Sequence, residues 1–233
     1  FNLTGVEASK RKIREGIAAG TLTGWDDPRL STLAALRRRG FQPDALKTFL
    51  FNLGITKNES TLTWDTLEAE NRKTIEPLAN RYFFINQPVR VTIIDAPRQE
   101  TSLRKHPAHA ERGERTFSTH TGFWLQQSDL DQLKAAKLYR LMDCLNFNKT
   151  RTGYAYASRD HESYKEKGEK IMHWLPANDD LFEVTVMMAD ATTVTGLGEA
   201  TMRELRVNDI VQLERFGFCR VDKIRSEIAL YFA

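Results

Sequence analysis

Residues 81–94 of the chain read RYFFINQPVRVTII. Aromatic and β-branched side chains dominate this run, which is typical of β-strands, and Pro88 divides it into two strand-like parts. The preceding residues carry helical patterns, whereas short strand-like segments recur in the residues that follow. The run therefore predicts the boundary between a helical region, 1–80, and a strand-rich region, 81–233, in a multidomain α+β protein.

Three segments of the helical region carry helix signals. The first follows Ser31 and stops at Gly40, with leucines at helical spacing between them. The second opens at Pro43, a residue favoured in the first turn of a helix, and ends at Gly54. The third ends near Pro77, which cannot continue a helix. Their apolar positions predict the core of a small helical domain.

The strand-rich region contains many short apolar segments separated by turns, which indicates β-barrels rather than an alternating α/β sheet. We expect the polar stretch 95–120 to be a long loop and the charged stretch 157–170 to be an exposed excursion. The predicted strands lie at residues 82–85, 89–94, 122–125, 137–142, 170–175, 181–188, 210–215 and 218–221.

The composition of the 233 residues is that of an ordinary globular protein, with 41% hydrophobic and 28% charged residues. It excludes disordered, collagen-like and coiled-coil chains. The 34 basic and 31 acidic residues leave a net charge of +3, which excludes a histone-like binder. Because residues 1–60 carry 10 of the basic and only 6 of the acidic residues, local basic patches remain compatible with nucleic-acid binding.

Three further features bear on the setting of the protein. The two cysteines, Cys144 and Cys219, are too few for a disulfide scaffold or a cysteine-built zinc site. No apolar run approaches the roughly 20 residues of a membrane helix, so we expect no membrane partner and a cytoplasmic location. The chain begins at Phe1 rather than Met and shows no signal segment, which predicts a piece of a longer protein.

Common catalytic motifs are missing from the sequence, which has no Walker loop, GxGxxG, HExxH or GxSxG. His106, His109 and His120 are candidate metal ligands by type, but their polar surroundings favour a solvated or structural loop, and we expect no metal site. The adjacent Asp26 and Asp27 favour helix capping or an arginine partner over a catalytic carboxylate pair.

Three motifs near the start of the chain carry more information together than separately. Residues 6–13 read VEASKRKI, residues 24–30 read GWDDPRL and residues 36–40 read LRRRG. In this order and spacing they resemble the class I aminoacyl-tRNA synthetases for glutamate and glutamine. The pair Ser9-Lys10 falls where that family has the signature loop written KMSKS, and residues 24–30 look like its GWDDPR segment.

Further matches follow in the order of the family and look like the archaeal-type glutamyl-tRNA synthetases. They are NRK at 71–73, RYFF at 81–84, HP at 106–107, ERG at 111–113, RLMD at 140–143, IMHWLP at 171–176 and QLERFGF at 212–218.

The resemblance implies an architecture. Residues 1–80 would hold the end of the catalytic domain with the signature loop, followed by a helical domain that contacts the stem of the tRNA. Residues 81–233 would form two antiparallel β-barrels that bind the anticodon. We expect a proximal barrel from about 81–95 plus 180–233 and a distal barrel from 96–179.

The resemblance also implies an activity for the parent enzyme, which would attach glutamate to tRNA-Glu, and in some relatives to tRNA-Gln, using ATP and Mg²⁺. The half that carries the HIGH motif has no counterpart here, so we expect this piece to bind tRNA without charging it and to hold no cofactor itself. Two alternatives stay open, which are the equivalent part of a glutaminyl-tRNA synthetase and a non-catalytic protein-interaction module.

The signature loop implies catalytic roles for Ser9 and Lys10. Lys10 matches the second lysine of the loop, whose ammonium can stabilise charge on the ATP phosphates as the adenylate forms. Two positions depart from the pattern, since Glu7 stands where the first lysine belongs and Arg11 where the last serine belongs. An idle surface lysine is the alternative interpretation of Lys10.

Four residues are implied to read the anticodon. Arg81 matches an arginine that meets the first base, and Arg140 matches the first arginine of a VRLRN-like segment whose second arginine is replaced by Met142. Gln212 and Arg215 match an FQFER-like strand that reads the middle base. Unstacked bases expose their pairing edges, which Arg and Gln can hydrogen-bond with two atoms at once. Ion pairing on the barrel surface is the alternative for each arginine.

The run Arg37-Arg38-Arg39 is a separate candidate for contacts with the tRNA backbone. Three consecutive basic residues of a helix point in at least two directions. We expect phosphate contacts in the helical domain, with solvation or pairing to Asp26 or Asp27 as the alternative.

Overall fold

The computed structural model of the protein describes residues 2–4, 9–53, 61–177 and 180–233, so the helix end predicted at Gly54 lies outside the described residues. The described residues include the three helices predicted between residues 31 and 77, together with helices that the sequence did not predict. They are α1 (Lys10–Ala18), α2 (Leu33–Arg39), α3 (Pro43–Leu53), α4 (Trp64–Ile75), α5 (Gln127–Leu130) and α6 (His161–Lys167).

The strands recur through the remainder of the chain, as the sequence predicts. They are β1 (Asn2–Thr4), β2 (Thr61–Thr63), β3 (Asn80–Tyr82), β4 (Phe84–Asn86), β5 (Pro88–Ile94), β6 (Gln99–Arg104), β7 (Glu114–Thr119), β8 (Gly122–Gln126), β9 (Leu138–Leu141), β10 (Leu145–Lys149), β11 (Tyr154–Ser158), β12 (Gly168–Met172), β13 (Leu175–Pro176), β14 (Phe182–Met187), β15 (Thr193–Gly198), β16 (Ile210–Leu213), β17 (Gly217–Ile224) and β18 (Ile228–Phe232).

The helical region forms its own small core. Helix α2 is capped by Thr32, whose hydroxyl accepts a hydrogen bond from the Ala35 amide at 3.1 Å, one residue after the cap expected at Ser31. The helix ends at Gly40, which has a positive φ of 99° that glycine adopts at little cost. The core of the helical region packs Leu36 of α2, Phe49 of α3 and Leu67 of α4 around Phe41, which lies between α2 and α3.

One seven-stranded sheet, which we call the proximal sheet, has the order β3-β16-β17-β18-β14-β15-β4. Its two edge strands, β3 and β4, are separated along the chain by Phe83 alone. This connection brings the edges of the sheet together, so the sheet is nearly closed. The pairing is mixed rather than purely antiparallel, because β14 pairs with β18 and β3 with β16 in parallel.

A second seven-stranded sheet, the distal sheet, has the order β12-β9-β10-β11-β5-β8-β13. It is mixed as well, with parallel pairs between β5 and β11 and between β9 and β12. The presence of β5 here corrects the expectation that 81–95 belongs wholly with 180–233. The physical reason is that Val91 and Ile93, which alternate inward along β5, are buried in the distal core.

The stretch 95–120 was expected to be a loop, but it contains the antiparallel hairpin of β6 and β7, in register from Gln99–Thr119 to Arg104–Glu114. Polar residues alternate with apolar ones on its inner face, where Thr101 is as buried as Leu103. A half-buried strand with polar residues on its inner face lacks the apolar alternation by which strands are predicted from sequence. The stretch 157–170 contains α6, which buries no residue and is exposed as expected.

Residues 82–85 contribute to two cores at once. Tyr82 and Phe84 are buried in the core of the proximal sheet, whereas Phe83 and Ile85 are buried in the core of the distal sheet. Because successive side chains of an extended chain point to opposite sides, this short run fixes one sheet against the other. In the part of the chain that the structure describes, no helix is sufficiently long and apolar to cross a membrane.

Candidate nucleic-acid interface

Ser9 and Lys10 lie at the start of α1. The Ser9 hydroxyl caps the helix by accepting a hydrogen bond from the Lys12 amide at 3.5 Å. Lys10 is the first residue of the helix and is exposed. Ile13, buried against Leu30, anchors this helix to the remainder of the helical region. Glu7, the predicted departure from the signature loop, lies outside the described residues.

The two aspartates of the GWDDPR-like segment each bind an arginine. Asp27 is fully buried and accepts hydrogen bonds from Nε and Nη2 of Arg29, both at 2.8 Å. Those bonds from Arg29, with others from backbone amides, hold the pKa of the Asp27 carboxyl well below its usual range. Asp26 pairs with Arg38 at 2.9 Å. These contacts are structural, in line with the arginine pairing favoured by the sequence.

The three arginines at the end of α2 point in different directions. Arg39 is 1% exposed; it donates to the Phe232 carbonyl and pairs with Glu68 at 2.8 Å. Arg38 pairs with Asp222 on β17 at 3.2 Å, in addition to Asp26. Arg37 is exposed. Arg38 and Arg39 therefore attach the helical region to the proximal sheet, which leaves Arg37 as the arginine of the run that faces solvent.

Arg81 and Gln212 are neighbours in the proximal sheet, where they occupy the same register position of the parallel strands β3 and β16. The Arg81 guanidinium lies 3.9 Å from Glu214, which is long for a hydrogen-bonded ion pair. Its Nε is buried and has no hydrogen-bond partner among the described residues. An unsatisfied buried donor of this kind is costly unless an acceptor from outside the chain completes it.

Arg81 and Glu214 open into a cavity of about 460 Å³, which we call the Arg81 cavity. It lies where the proximal sheet meets the β6–β7 hairpin and the turn after β9. Both basic and acidic side chains line it, so it can accept and donate hydrogen bonds. Its charged lining residues are Arg81, Arg104, Glu114, Arg115, Asp143 and Glu214.

Gln212 and Arg215 line a second cavity, of about 330 Å³, which we call the Gln212 cavity. Phe216 contributes a half-buried aromatic ring there, held edge-on against Phe84 at a centroid distance of 5.2 Å. Arg72 of α4 reaches the same cavity from the helical region and is exposed. Amide, guanidinium and aromatic groups thus converge in one place, as base recognition requires.

Arg215 is bound within the protein by an acidic partner from the distal sheet. Its Nη1 and Nη2 donate to the two carboxylate oxygens of Asp129 at 2.6 and 2.8 Å. This bidentate bond raises the pKa of the Arg215 guanidinium. Lys170 also binds Asp129, at 2.7 Å. Since 32% of the Arg215 side chain is exposed, the arginine both connects the proximal sheet to α5, which follows β8 of the distal sheet, and faces solvent.

His173 supports Arg215 from the other side. Its Nδ1 accepts from Nη1 of Arg215 at 3.1 Å, and its Nε2 donates to the Phe84 carbonyl at 2.7 Å. Burial, together with the positive charge of Arg215, lowers the pKa of His173 to about 4. The imidazole is therefore neutral at pH 7, which is the form that can accept from an arginine.

Arg140 lies apart from the other predicted anticodon residues, on β9 of the distal sheet. It is 6% exposed and donates from Nη1 to Asn146 at 2.8 Å and to the Arg159 carbonyl at 3.4 Å. Met142 and Asp143, two and three residues later, line the Arg81 cavity. The structure therefore brings the segment of Arg140, rather than its guanidinium, to the side of Arg81.

The histidines of the hairpin region are used within the protein. His106 is buried, with its Nε2 3.2 Å from the Glu76 carbonyl, and His109 pairs with Glu111 at 2.9 Å. His120 is exposed. Across the described ranges, no group of three or more His, Cys, Asp or Glu side chains is placed to hold a metal ion.

Three family models match the chain in succession. The model of the catalytic domain of class I tRNA synthetases (E and Q) matches residues 1–77. Two models of the anticodon-binding domain of the same synthetases match residues 79–156 and 171–222. The chain belongs to the class I glutamyl- and glutaminyl-tRNA synthetases. This confirms the resemblance found in the motifs.

Similar synthetases with curated names come from archaea. The glutamate–tRNA ligase of Pyrococcus abyssi is 39% identical over 240 residues, covering 99% of this chain and 42% of that protein. The glutamate–tRNA ligase of Methanobrevibacter smithii is 36% identical over 231 residues, covering 98% of this chain and 41% of that protein. The chain thus spans about two-fifths of the length of these relatives.

The synthetase matches divide the predicted site residues among three parts of the chain. Ser9 and Lys10 lie in the part matched to the catalytic domain. Arg81 and Arg140 lie in the first anticodon-binding match, and residues 212–215 lie in the second. The catalytic match spans the whole helical region without dividing it, so a separate stem-contact domain stays a prediction.

Sequence reasoning missed three residues of this synthetase site. Arg72 and His173 lie in the motifs 71–73 and 171–176, which carried the resemblance. Their place in these motifs was the only sign in the sequence that they could belong to the site. Asp129 had no signal, because it stands in the four-residue helix α5 and meets Arg215 only through the tertiary fold.

Proposed function

We propose that this chain is the tRNA-binding part of a glutamate–tRNA ligase, and that it recognises the anticodon of tRNA-Glu. The curated relatives that it matches carry that name, which favours glutamate over the glutaminyl alternative. The glutamate–tRNA ligase activity is a proposal for the longer protein, and tRNA-Gln remains a second possible substrate of it.

The observation that carries the proposal is the side-by-side placement of Arg81 and Gln212 on parallel strands, with Arg215 at the end of the second strand. Two distant segments of the sequence thereby supply three groups that hydrogen-bond base edges. The cavities beside them offer an unsatisfied donor at Arg81 Nε and an aromatic ring at Phe216. Both features suit unstacked bases, which present a pairing edge and a face for stacking.

Each group would act differently on a bound anticodon. Among the residues that the structure describes, none binds the Gln212 side-chain amide, which can both donate and accept, and Arg81 with its neighbour Glu214 offers a donor and an acceptor in one cavity. Arg215 reaches a base only through the exposed third of its side chain or by leaving Asp129. Asp129 would therefore set the orientation of the Arg215 guanidinium.

The buried Arg140 supports a narrower role than direct contact. Because its guanidinium is bound to Asn146 and the Arg159 carbonyl, we propose that it holds the turn with Met142 and Asp143 against the Arg81 cavity. For the tRNA backbone, we propose Arg37 as the contact of its run, since Arg38 and Arg39 have carboxylate partners inside the protein.

Lys10 is proposed to meet the phosphates of ATP in the longer enzyme. Its exposed ammonium at the start of α1 supports that role, and Ser9 holds the helix start by capping. Mg²⁺ stays a prediction, because the described residues gather no cluster of three ligands that would fit it. We likewise expect that this part of the enzyme binds tRNA without forming glutamyl-tRNA, and that it works in the cytoplasm.

The interaction-module alternative predicts a sizeable exposed apolar patch. The large exposed apolar side chains lie on several elements, among them Leu33 on α2, Leu50 and Phe51 on α3 and Ile94 on β5. Arginines and polar groups line the cavities described above. These features support nucleic-acid binding over a protein-docking surface.

The experiment that tests the proposal measures binding of the chain to transcribed tRNA-Glu over a series of salt concentrations, beside a tRNA with a changed middle anticodon base. We expect salt-sensitive binding that is weaker for the altered tRNA by about 1–3 kcal/mol. Arg215→Ala should remove this preference, and Arg215→Lys should remove most of it, because a lysine keeps the charge without the two-pronged geometry.

Two results would contradict the proposal. Salt-sensitive binding without any preference for the middle base would discard the roles of Gln212 and Arg215. Absence of binding at low salt would discard tRNA binding by this part of the enzyme.

A further inference from the structure

A third polar cavity lies on the distal sheet, where the β6–β7 hairpin joins it. It has a volume of about 420 Å³, and we call it the Arg90 cavity. Arg90 and Thr92 point outward from β5 into it, while Arg98 enters from the connection before β6. His120 and Thr121 come from the connection between β7 and β8. One strand and two connections thus place two guanidinium groups and an imidazole around one space.

The charge of this cavity is unbalanced. Within the described part of the chain no carboxylate lines it, and neither Arg90 nor Arg98 has a hydrogen-bond or ion-pair partner there. In the Arg81 and Gln212 cavities, by contrast, carboxylates bind two of the lining arginines, Arg115 with Glu199 and Arg215 with Asp129. Two unpaired guanidinium groups that share a concave polar space favour an anion between them.

The Arg90 cavity is distinct from the proposed anticodon site. On the paired strands β5 and β8, Thr92 lies opposite Gly122, at the cavity, whereas Pro88 lies opposite Gln126, just before α5. Helix α5 carries Asp129, the partner of Arg215. The cavity therefore lies at the opposite end of β8 from the contact that ties Arg215 to the distal sheet.

Gly122 gives the cavity its depth. A Cβ atom at this position would lie 3.0 Å from the Cβ of Ala177 and 4.0 Å from Nη2 of Arg90. A methyl group there would crowd Ala177, would touch the Arg90 guanidinium at ordinary van der Waals distance, and would fill part of the cavity without changing the charge of the protein.

We propose that Arg90, Arg98 and His120 form a second nucleic-acid contact, which holds a backbone phosphate of the bound tRNA on the distal sheet. The inference rests on the proposed function, because it takes tRNA as the polyanion. A single phosphate group accepts hydrogen bonds from both arginines, and the hydroxyls of Thr92 and Thr121 add neutral donors. Such a contact adds affinity and orientation but no preference among bases.

The test compares tRNA-Glu binding by the wild-type chain with binding by Arg90→Gln, Arg98→Gln and the double variant, each over a salt series. We expect the double variant to bind about 10-fold more weakly at low salt. We also expect the slope of log affinity against log salt to fall by about 1, the value for one phosphate contact. The preference for the middle anticodon base should be unchanged.

Two controls distinguish a specific phosphate contact from a general effect of positive charge on tRNA binding. Arg151→Gln removes one charge from an exposed turn of the distal sheet outside the cavity, and it should leave the salt slope as it is. Gly122→Ala keeps the charge but takes up space in the cavity beside Ala177, and it should weaken binding by less than the double variant does. Thermal unfolding of each variant shows whether the fold is intact.

Several results would overturn the inference. The wild type could bind tRNA-Glu with a preference for the middle base while the double variant keeps the same slope of log affinity against log salt. That result would rule out the phosphate contact and leave the proposed function intact. An equal loss in Arg151→Gln would show a general charge effect. If inorganic phosphate alone, followed by ³¹P NMR, binds the wild type but not the double variant, and tRNA binding is equal in both, the cavity takes a small free anion instead.

Discussion

At the scale of single residues, the proximal and distal sheets are connected by a chain of hydrogen bonds that requires a neutral imidazole. His173 donates to the Phe84 carbonyl, accepts from Arg215, and lies where Arg215 reaches across to Asp129. Burial lowers the pKa of His173 to about 4, whereas the ordinary value is 6.5. A group with a lowered folded-state pKa makes the stability of the protein depend on pH between those two values.

The first prediction concerns this dependence. As pH falls below 6.5, His173 gains a proton in the unfolded chain but stays neutral in the folded one until about pH 4, so the folded state loses relative stability. With these two pKa values, proton linkage lowers the free energy of unfolding by about 2 kcal/mol between pH 7 and pH 5. Urea unfolding at both pH values measures it.

His173→Gln provides the control, because its amide can still donate to Phe84 but does not titrate. We expect the variant to lack the His173 part of the loss, so its free energy of unfolding should change less between pH 7 and pH 5. An equal change in both proteins would show that other groups produce the pH dependence.

At the scale of elements, the end of α2 joins the helical region to the proximal sheet. Gly40 ends the helix with a φ of 99°, and its Cα faces β16 and β17 closely. A Cβ there would lie 3.0 Å from both Arg220 and Ile210. Arg39, the residue before it, is buried against Glu68 and the Phe232 carbonyl. Helix geometry and interdomain packing therefore both require glycine at this position.

The second prediction is that Gly40→Ala destabilises the protein by about 2–3 kcal/mol, from the left-handed backbone and the close contacts together. Gly20→Ala is a matched control, since Gly20 has a φ of 72° and no atom within 4 Å of its Cβ position. It should cost only about 1 kcal/mol. Equal losses in urea unfolding would mean that the contacts with the sheet contribute nothing.

At the scale of the whole molecule, a buried ion pair joins the hairpin of the distal side to the proximal sheet. Arg115 of β7 and Glu199, just after β15, lie 2.6 Å apart and are 1% and 0% exposed. Glu199 also accepts from the Phe83 amide at 2.7 Å, and the Arg115 guanidinium lies over the Phe83 ring. Burial raises the pKa of Glu199, against the opposing effect of Arg115.

The third prediction follows from this pair. Arg115→Met leaves a buried carboxylate without its partner and should destabilise the protein by about 3–5 kcal/mol. Adding Glu199→Gln removes the unpaired charge and should restore part of the lost free energy of unfolding. Urea unfolding of the wild type, the two single variants and the double variant measures this recovery. No recovery in the double variant would show that the hydrogen bond from Phe83, rather than the charge, governs this contact.

The sequence by itself determined the family, the change from helices to strands near residue 81, three helices of the first third and eight strand-like segments. The end of α2 at Gly40 and the start of α3 at Pro43 follow from backbone constraints that act within a few residues. Eight strand-like segments with apolar side chains were predicted because such patterns are local, but β10 and β18, which also bury apolar residues, were not predicted. The hairpin of residues 99–119 was not predicted either, because Gln99 and Thr101 occupy its inner face.

The tertiary structure alone decided which sheet each strand joins and which charges are bound. Four buried apolar residues in a row at 82–85 show no alternation in the sequence, although they divide between two cores. The placement of β5 in the distal sheet depends on partners far along the chain. The pairing of Arg215 with Asp129, 86 residues away, has the same origin. Such pairings depend on the distance between groups in space, which no local pattern of residues encodes.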